Sequence, residues 1–127
     1  MTKVLNIVET PYRATVEEQD DTVLWLTNMF KRSGLDIAVL LRASATNYAV
    51  RGQDASGLRI GGIELHNPPR PDHDVAALLD LGVPVHYVRE DAEERGLPAG
   101  RFIDGAKPVS RRELPAMLEQ YDQVWHW

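Results

Sequence analysis

Two apolar runs bracket one amphipathic segment near the start of the chain, and that succession limits the fold more than anything else in the sequence. Residues 4–8, Val-Leu-Asn-Ile-Val, are rich in β-branched and leucine side chains and are broken after Glu9-Thr10 by Pro11, as a strand buried in a parallel sheet would be. Thr15 with Glu18 three residues on has the pattern of a capping box. Val23, Leu26, Met29 and Phe30 then recur at helical spacing until Ser33-Gly34 supplies a stop. Residues 35–41, Leu-Asp-Ile-Ala-Val-Leu-Leu, read as a second strand. A strand, a helix and a strand in so short a span imply a right-handed crossover between parallel neighbours.

The remainder continues the alternation. Residues 44–50 are short and helix-compatible, with Ala45, Tyr48 and Ala49 on one side. Residues 52–72 hold Gly52, Gly57, Gly61, Gly62, Pro68, Pro69 and Pro71, which predicts a long surface loop with room for a short hairpin around residues 58–65. Val75, Leu78, Leu79 and Leu81 form an apolar stripe after the candidate cap Asp72, and Gly82 ends that helix before a strand over residues 83–88. Pro84 belongs among that strand's first residues. Ser110 with Glu113 repeats the capping-box pattern ahead of Leu114, Met117, Leu118 and Tyr121, and residues 124–127 close the chain as a strand. Pro115 conflicts with this last helix, where it would remove a backbone bond. The expected fold is a single α/β domain over residues 1–127, three layers α/β/α around a mainly parallel sheet of about five strands, with a flavodoxin-like strand order as the hypothesis.

Composition excludes several functions. A chain of 127 residues with 43% hydrophobic and 26% charged side chains can build one ordinary core, so wholesale disorder is not expected and no second domain fits. The formal charge of −5 disfavours nucleic acid as a partner, and the basic residues read as neutralised locally, Arg111-Arg112 by Glu113 and Arg89 by Glu90-Asp91. There is no cysteine, hence no disulfide, no thiolate nucleophile and no zinc-thiolate site. Met1-Thr2-Lys3 leads into an apolar run too short for a signal sequence or a membrane span, so no membrane association is expected and the cytoplasm is the expected compartment.

One stretch carries more than architecture. Residues 88–97 read Val-Arg-Glu-Asp-Ala-Glu-Glu-Arg-Gly-Leu. With Pro11-Tyr12 after the first strand, Ala49-Val50-Arg51-Gly52-Gln53 after the second, Leu81-Gly82-Val83-Pro84-Val85 and Val109-Ser110 before the last helix, the chain resembles the DsrE family of sulfur-relay proteins over residues 3–127. In that family a cysteine just ahead of an Ala-Arg-Gly holds a persulfide. Here Glu94-Arg95-Gly96 keeps the Arg-Gly, Asp91 stands where the cysteine would fall, and Val88 occupies the place of a second, less regular one. A carboxylate cannot attack an S–S bond, and neither can the thioethers of Met1, Met29 and Met117. The resemblance implies the DsrE-like fold and assembly as a homo-oligomer, or as a hetero-oligomer with sulfur-relay-type proteins. It also allows a noncatalytic role, since the family includes cysteine-free subunits that sit beside a catalytic partner.

Asp91, Glu93, Glu94 and Arg95 follow the carboxyl end of the 83–88 strand, where open parallel sheets place their ligands. The plain alternative for the carboxylates is a solvated first helical turn. Tyr12, Gln53, Arg89, Asp91 and Arg95 are the candidate ligand-binding residues, with Arg95 suited to a carboxylate or a sulfur oxyanion. Asp91 and His86 are the weak catalytic candidates, although His86, between Val85 and Tyr87, reads first as a packed and hydrogen-bonded strand residue. His66, Asp72, His73 and Asp74 offer imidazole and carboxylate donors in one loop, but their spacing matches no closed motif, and neither a metal nor a cofactor is expected. Gly57, Gly61 and Gly62 read as turns, because no strand-then-helix context aims backbone N–H groups at a phosphate. Ser44, Ser56 and Ser110 have cap or loop explanations. Trp125 and Trp127 share a face of the last strand, and Trp25 lies on the first helix; each suits a covered core or a subunit interface.

Three functional readings follow. The first is a noncatalytic DsrE-like oligomer that scaffolds a partner or binds a small ligand. The second is a small enzyme with Asp91 as acid or base, Arg95 holding an anion, and His86 or Tyr12 assisting. The third is a pure interaction module whose strand-end cleft is closed by its own side chains.

Overall fold

The structure, a computed structural model, describes residues 2–11, 22–53, 57–64, 66 and 68–127. The capping pair Thr15 and Glu18, and the candidate Tyr12, lie outside them. Strand β1 (Lys3–Val8) pairs in parallel with β2 (Asp36–Leu41), Lys3 opposite Asp36 and Val8 opposite Leu41, with helix α1 (Thr22–Arg32) between them. Both strands are buried almost end to end, which is why their sequences are apolar without alternation. Residues Ala43–Ala49 wind into a 3₁₀ helix that buries Tyr48.

Strands β3 (Arg59–Ile60) and β4 (Ile63–Glu64) form a hairpin inside the glycine-rich loop. Its two-residue turn, Gly61-Gly62, has φ of +58° and +81°, the pair of positive values such a turn demands. Helix α2 (Pro71–Asp80) starts two residues earlier than a cap at Asp72 allows, because Pro71 suits the first turn with its fixed φ and missing N–H. Asp72 is instead buried within the helix, its carboxylate accepting the Gly52 N–H at 3.0 Å.

Strand β5 (Val85–Val88) follows Pro84 and runs directly into helix α3 (Arg89–Glu94). Strand β6 (Lys107–Val109), which the sequence pattern did not mark, carries Pro108 at its centre; an edge strand tolerates a residue with no N–H to donate. The capping box at Ser110 is formed, with Glu113 accepting the Ser110 N–H and the Ser110 hydroxyl accepting from Arg112. It opens a 3₁₀ turn (Arg111–Glu113) before helix α4 (Leu114–Leu118), so Pro115 falls in the first turn of α4 and its conflict disappears. Strand β7 (Gln123–His126) ends the chain.

The five-stranded sheet has the order β6-β5-β2-β1-β7, with every pairing parallel. Counted along the chain, its strands read 4-3-2-1-5, which corrects the flavodoxin-like order of 2-1-3-4-5. The last crossover, through α4, carries the chain back across the sheet and sets β7 beside β1. One face packs Val8, Val39, Leu41, Val85 and Tyr87 against α1, α2, α3 and the 3₁₀ helix. The other packs Leu5, Ile7, Ala38, Leu40 and Val88 beneath the short α4, whose Met117 is buried among them. The chain is therefore a three-layer α/β/α domain with helices on both sides of a five-stranded parallel sheet.

One buried polar group joins three elements. Asn6 of β1 donates to the Thr27 hydroxyl of α1 at 2.8 Å and accepts from the Trp127 indole at 2.5 Å, while Thr27 donates to the Val23 carbonyl at 2.8 Å. Trp125 meets Phe30 edge to face, 5.5 Å between ring centres. Both terminal tryptophans thus pack on the α1 side of the sheet.

The Arg95-Gly96-Leu97 segment also has a local physical cause. Gly96 sits at φ +66°, its N–H bonded to the Glu93 carbonyl at 3.0 Å, and the Leu97 N–H returns to the Ala92 carbonyl at 3.0 Å. These two bonds are a left-handed C-terminal cap that stops α3. Nothing lies within 4 Å of where a Gly96 side chain would begin, so the cost of adding one is conformational. Gly96→Ala is expected to lower stability by about 1 kcal/mol, and the melting midpoint by about 4 °C on thermal circular dichroism. An unchanged midpoint would remove the cap from the account of this motif.

Candidate functional site

Parallel sheets open a crevice where neighbouring strands send their connections to opposite faces. The chain leaves β5 into α3, which packs through Ala92 on the α1 side, and leaves β6 toward α4, which packs through Met117 on the other. Strands β5 and β6 are neighbours, so the crevice lies between Glu90-Asp91 and Ser110-Arg111.

That crevice is filled from within. Arg111 reaches from the end of β6 to Asp91, with Nη2 2.5 Å from Oδ1, and to Glu94 Oε1 at 3.1 Å. Asp91 is buried, and its second oxygen accepts the Ala43 N–H at 2.7 Å. Ala43 has φ +51°, the only positive value at a non-glycine among the described residues, so Asp91 fastens a strained turn at the end of β2 to the end of β5. Glu90 accepts from the Ser110 hydroxyl and the Arg111 N–H, both at 3.0 Å. Arg95 donates to the Asp91 carbonyl at 3.2 Å and to the Ser44 hydroxyl at 3.3 Å. Farther along the rim, Glu9 lies 3.3 Å from Arg42 and 3.4 Å from His126.

Electrostatics follow the geometry. Burial by itself raises the Asp91 pKa, but the Ala43 N–H, the Arg111 guanidinium and the Arg95 charge together outweigh it and hold the carboxyl below its ordinary 3.8. Glu90 is held low first by the Arg111 backbone N–H. A carboxyl with a depressed folded pKa contributes stability that is complete above its unfolded value and lost as the pH falls through the folded one. Asp91 therefore stays ionised at neutral pH and stabilises the rim there.

The structure brings Asp91 and Arg95 together and separates the other described candidates, Gln53, Arg89 and His86, from them; Tyr12 lies outside the described residues. Gln53 donates to the Asn47 and Val50 carbonyls, at 2.5 and 2.8 Å, and so closes the 3₁₀ helix. Arg89 lies 3.8 Å from Glu93 on the solvent side of α3. His86 faces α4 from the middle of β5, half-buried; burial, then the Lys107 charge, lowers its pKa. It is packed as expected, yet without a hydrogen-bond partner among the described residues, which corrects that part of the reading. Among the described residues no group of three or more His, Asp or Glu is placed to hold a metal ion, and no helix is long and apolar enough to cross a membrane.

Sequence reasoning passed over Arg111, Ser110, Glu90 and Ala43. Arg111 was read as neutralised by Glu113, but Glu113 is occupied in the capping box and Arg111 pairs across the fold. The usable signal was the capping box itself. A Ser-Arg pair opening a helix straight after a strand belongs at a strand-end rim, once β6 is recognised as a strand.

The strand order and this rim can be set beside solved structures. The Escherichia coli ychN protein superposes with a TM-score of 0.76 at 19% identity, with all of both chains covered. The chain has the ychN fold. MTH1491 of Methanobacterium thermoautotrophicum, described as a protein of unknown function, superposes at a TM-score of 0.65 with 12% identity, over 98% of this chain and 99% of that one. At such identities the likeness is one of fold, and it agrees with the DsrE-like architecture expected from residues 88–97. No protein-family model matches the chain, and no curated protein matches it significantly.

Proposed function

We propose that the chain is a noncatalytic relative of the sulfur-relay proteins, a DsrE-like subunit that scaffolds a partner or binds a small ligand and cannot itself carry a persulfide. The single observation behind this reading is Asp91. Where the family's thiol would stand there is a buried, ionised carboxylate committed to Ala43 and Arg111, so the position serves as a tie between strand ends. The closed rim also supports an interaction role, with assembly as a homo-oligomer or with sulfur-relay-type partners. The acid-base alternative loses support, because proton transfer near neutrality needs a carboxyl pKa raised toward 7, and that of Asp91 is pushed the other way.

The test is incubation with inorganic polysulfide followed by intact-mass spectrometry under non-reducing conditions. The expected spectrum is unchanged. A stable gain of one sulfur atom would sink the noncatalytic reading.

A further inference from the structure

The α4 side of the sheet is covered by a helix of only five residues. Beside it, over β5 and the edge strand β6, lies an open cavity of about 550 Å³, a size that suits small-molecule sites. His86 and Lys107 are register partners and face the cavity together from the sheet, while Arg112, Met117, Gln120 and Tyr121 line it from the α4 side. Met117 continues the buried core, so the floor is apolar and the rim is polar.

Charge sets the ligand class. Lys107 and Arg112 line this cavity, and neither has a carboxylate partner among the described residues, in a chain whose formal charge is −5. Arg42, Arg95 and Arg111, by contrast, each pair with a carboxylate at the strand-end rim, so two cations without one at a single concavity stand out. Glu113 is the one carboxylate in the lining, and it accepts the Ser110 N–H of the capping box. Two cations against one carboxylate leave a single net positive charge. The His86 ring and the Tyr121 hydroxyl add neutral hydrogen-bonding groups at neutral pH, since burial lowers the pKa of the first and raises that of the second.

We infer that the cavity between α4 and the β5–β6 edge binds a small organic monoanion, a carboxylate or sulfonate with an apolar body, held at its charged end by Lys107 and Arg112 and seated against Met117. The site is separate from the Asp91 rim, on the other side of the sheet edge. It gives the ligand-binding part of the proposed function a chemical class and a place, and it rests on that reading only for being noncatalytic.

The probe is 8-anilinonaphthalene-1-sulfonate, which joins one sulfonate to an aromatic body, titrated by fluorescence against the full chain. Its neutral analogue N-phenyl-1-naphthylamine, which lacks the sulfonate, serves as comparison. The expected result is one site per chain, with the neutral analogue weaker by about tenfold and the K107Q/R112Q variant weakened by about tenfold at unchanged near-ultraviolet circular dichroism. Ala116 of α4 also lines the cavity, so A116W, which fills it, is expected to abolish the signal, whereas I60S/I63S in the exposed β3–β4 hairpin is expected to leave it unchanged. Equal binding by K107Q/R112Q, or loss of binding in I60S/I63S alone, would overturn the site. So would a wild-type chain that binds no probe while A116W changes its mass by sedimentation, since the face would then be an interface between copies. Sulfur uptake in the polysulfide experiment would sink the noncatalytic reading and leave this titration standing, so the two failures are distinguishable.

Discussion

Asp91→Cys is expected to turn a chain that gains no sulfur from polysulfide into one that gains a single sulfur atom by intact mass. The substitution places a thiol at the start of α3, in the position occupied by Asp91 beside the Ala43 N–H, Arg111 and Arg95. A nearby guanidinium and a backbone donor favour a thiolate as they favour the carboxylate. The thiolate attacks the terminal S–S bond of the polysulfide and keeps one sulfur, and a polysulfide shorter by one sulfur leaves with the electron pair. Access is the second requirement. The Arg111 side chain that closes the rim is half exposed, and once its buried partner is gone it keeps the exposed Glu94 as its described carboxylate partner, a solvent-screened pair that opens readily. A D91C chain that folds, titrates with a thiol reagent and still takes up no sulfur would show that more than the thiol separates this rim from a persulfide carrier.

The largest stability loss is expected at Asn6. Asn6→Ala removes the donor to Thr27 and the acceptor for the Trp127 indole, and it leaves a void in a side chain position that is 1% exposed. The unpaired indole N–H and the void together cost about 3 kcal/mol, or about 10 °C in the melting midpoint. In a W25F/W125F background, fluorescence of Trp127 reports the same event, because the indole loses its partner and the end of the chain its anchor on β1. Asn6→Asp is expected to recover little, since a carboxylate there would be a buried charge whose described partners, Thr27 and Trp127, are neutral. A loss under 1 kcal/mol for the alanine variant would mean that the terminal strand is held by its backbone ladder alone.

Much of the architecture was legible from local chemistry. Residues 4–8 and 35–41 had to be buried strands because they are apolar on both faces, and the Ser110 and Glu113 pair marked a helix start that the structure contains. The order of the strands was not legible. It depends on which side of the sheet each crossover takes, and nothing local in the β6-to-β7 connection distinguishes a place beside β6 from one beside β1. Strand β6 itself was hidden because it is three residues long with proline at its centre. The rim was half legible for a related reason. Position after β5 marked Asp91 and Arg95, but the partner that gives Asp91 its role, Arg111, is twenty residues away and becomes a neighbour only when β5 and β6 pair. Charge balance read along the chain assigned Arg111 to the adjacent Glu113, whereas the fold assigns Glu113 to a cap and Arg111 to Asp91 and Glu94. Gly96-Leu97 shows the converse, a motif that a helix cap explains by itself.

The central claim is that Asp91 is an ionised structural tie between strand ends, which is what the proposed noncatalytic role rests on. Titrating its carboxyl carbon by nuclear magnetic resonance in the folded protein measures this most directly. The account predicts a midpoint below 3.8, with the Ala43 amide resonance moving in step as its acceptor is protonated. A midpoint raised toward neutrality would contradict it and return Asp91 to the role of a catalytic acid or base.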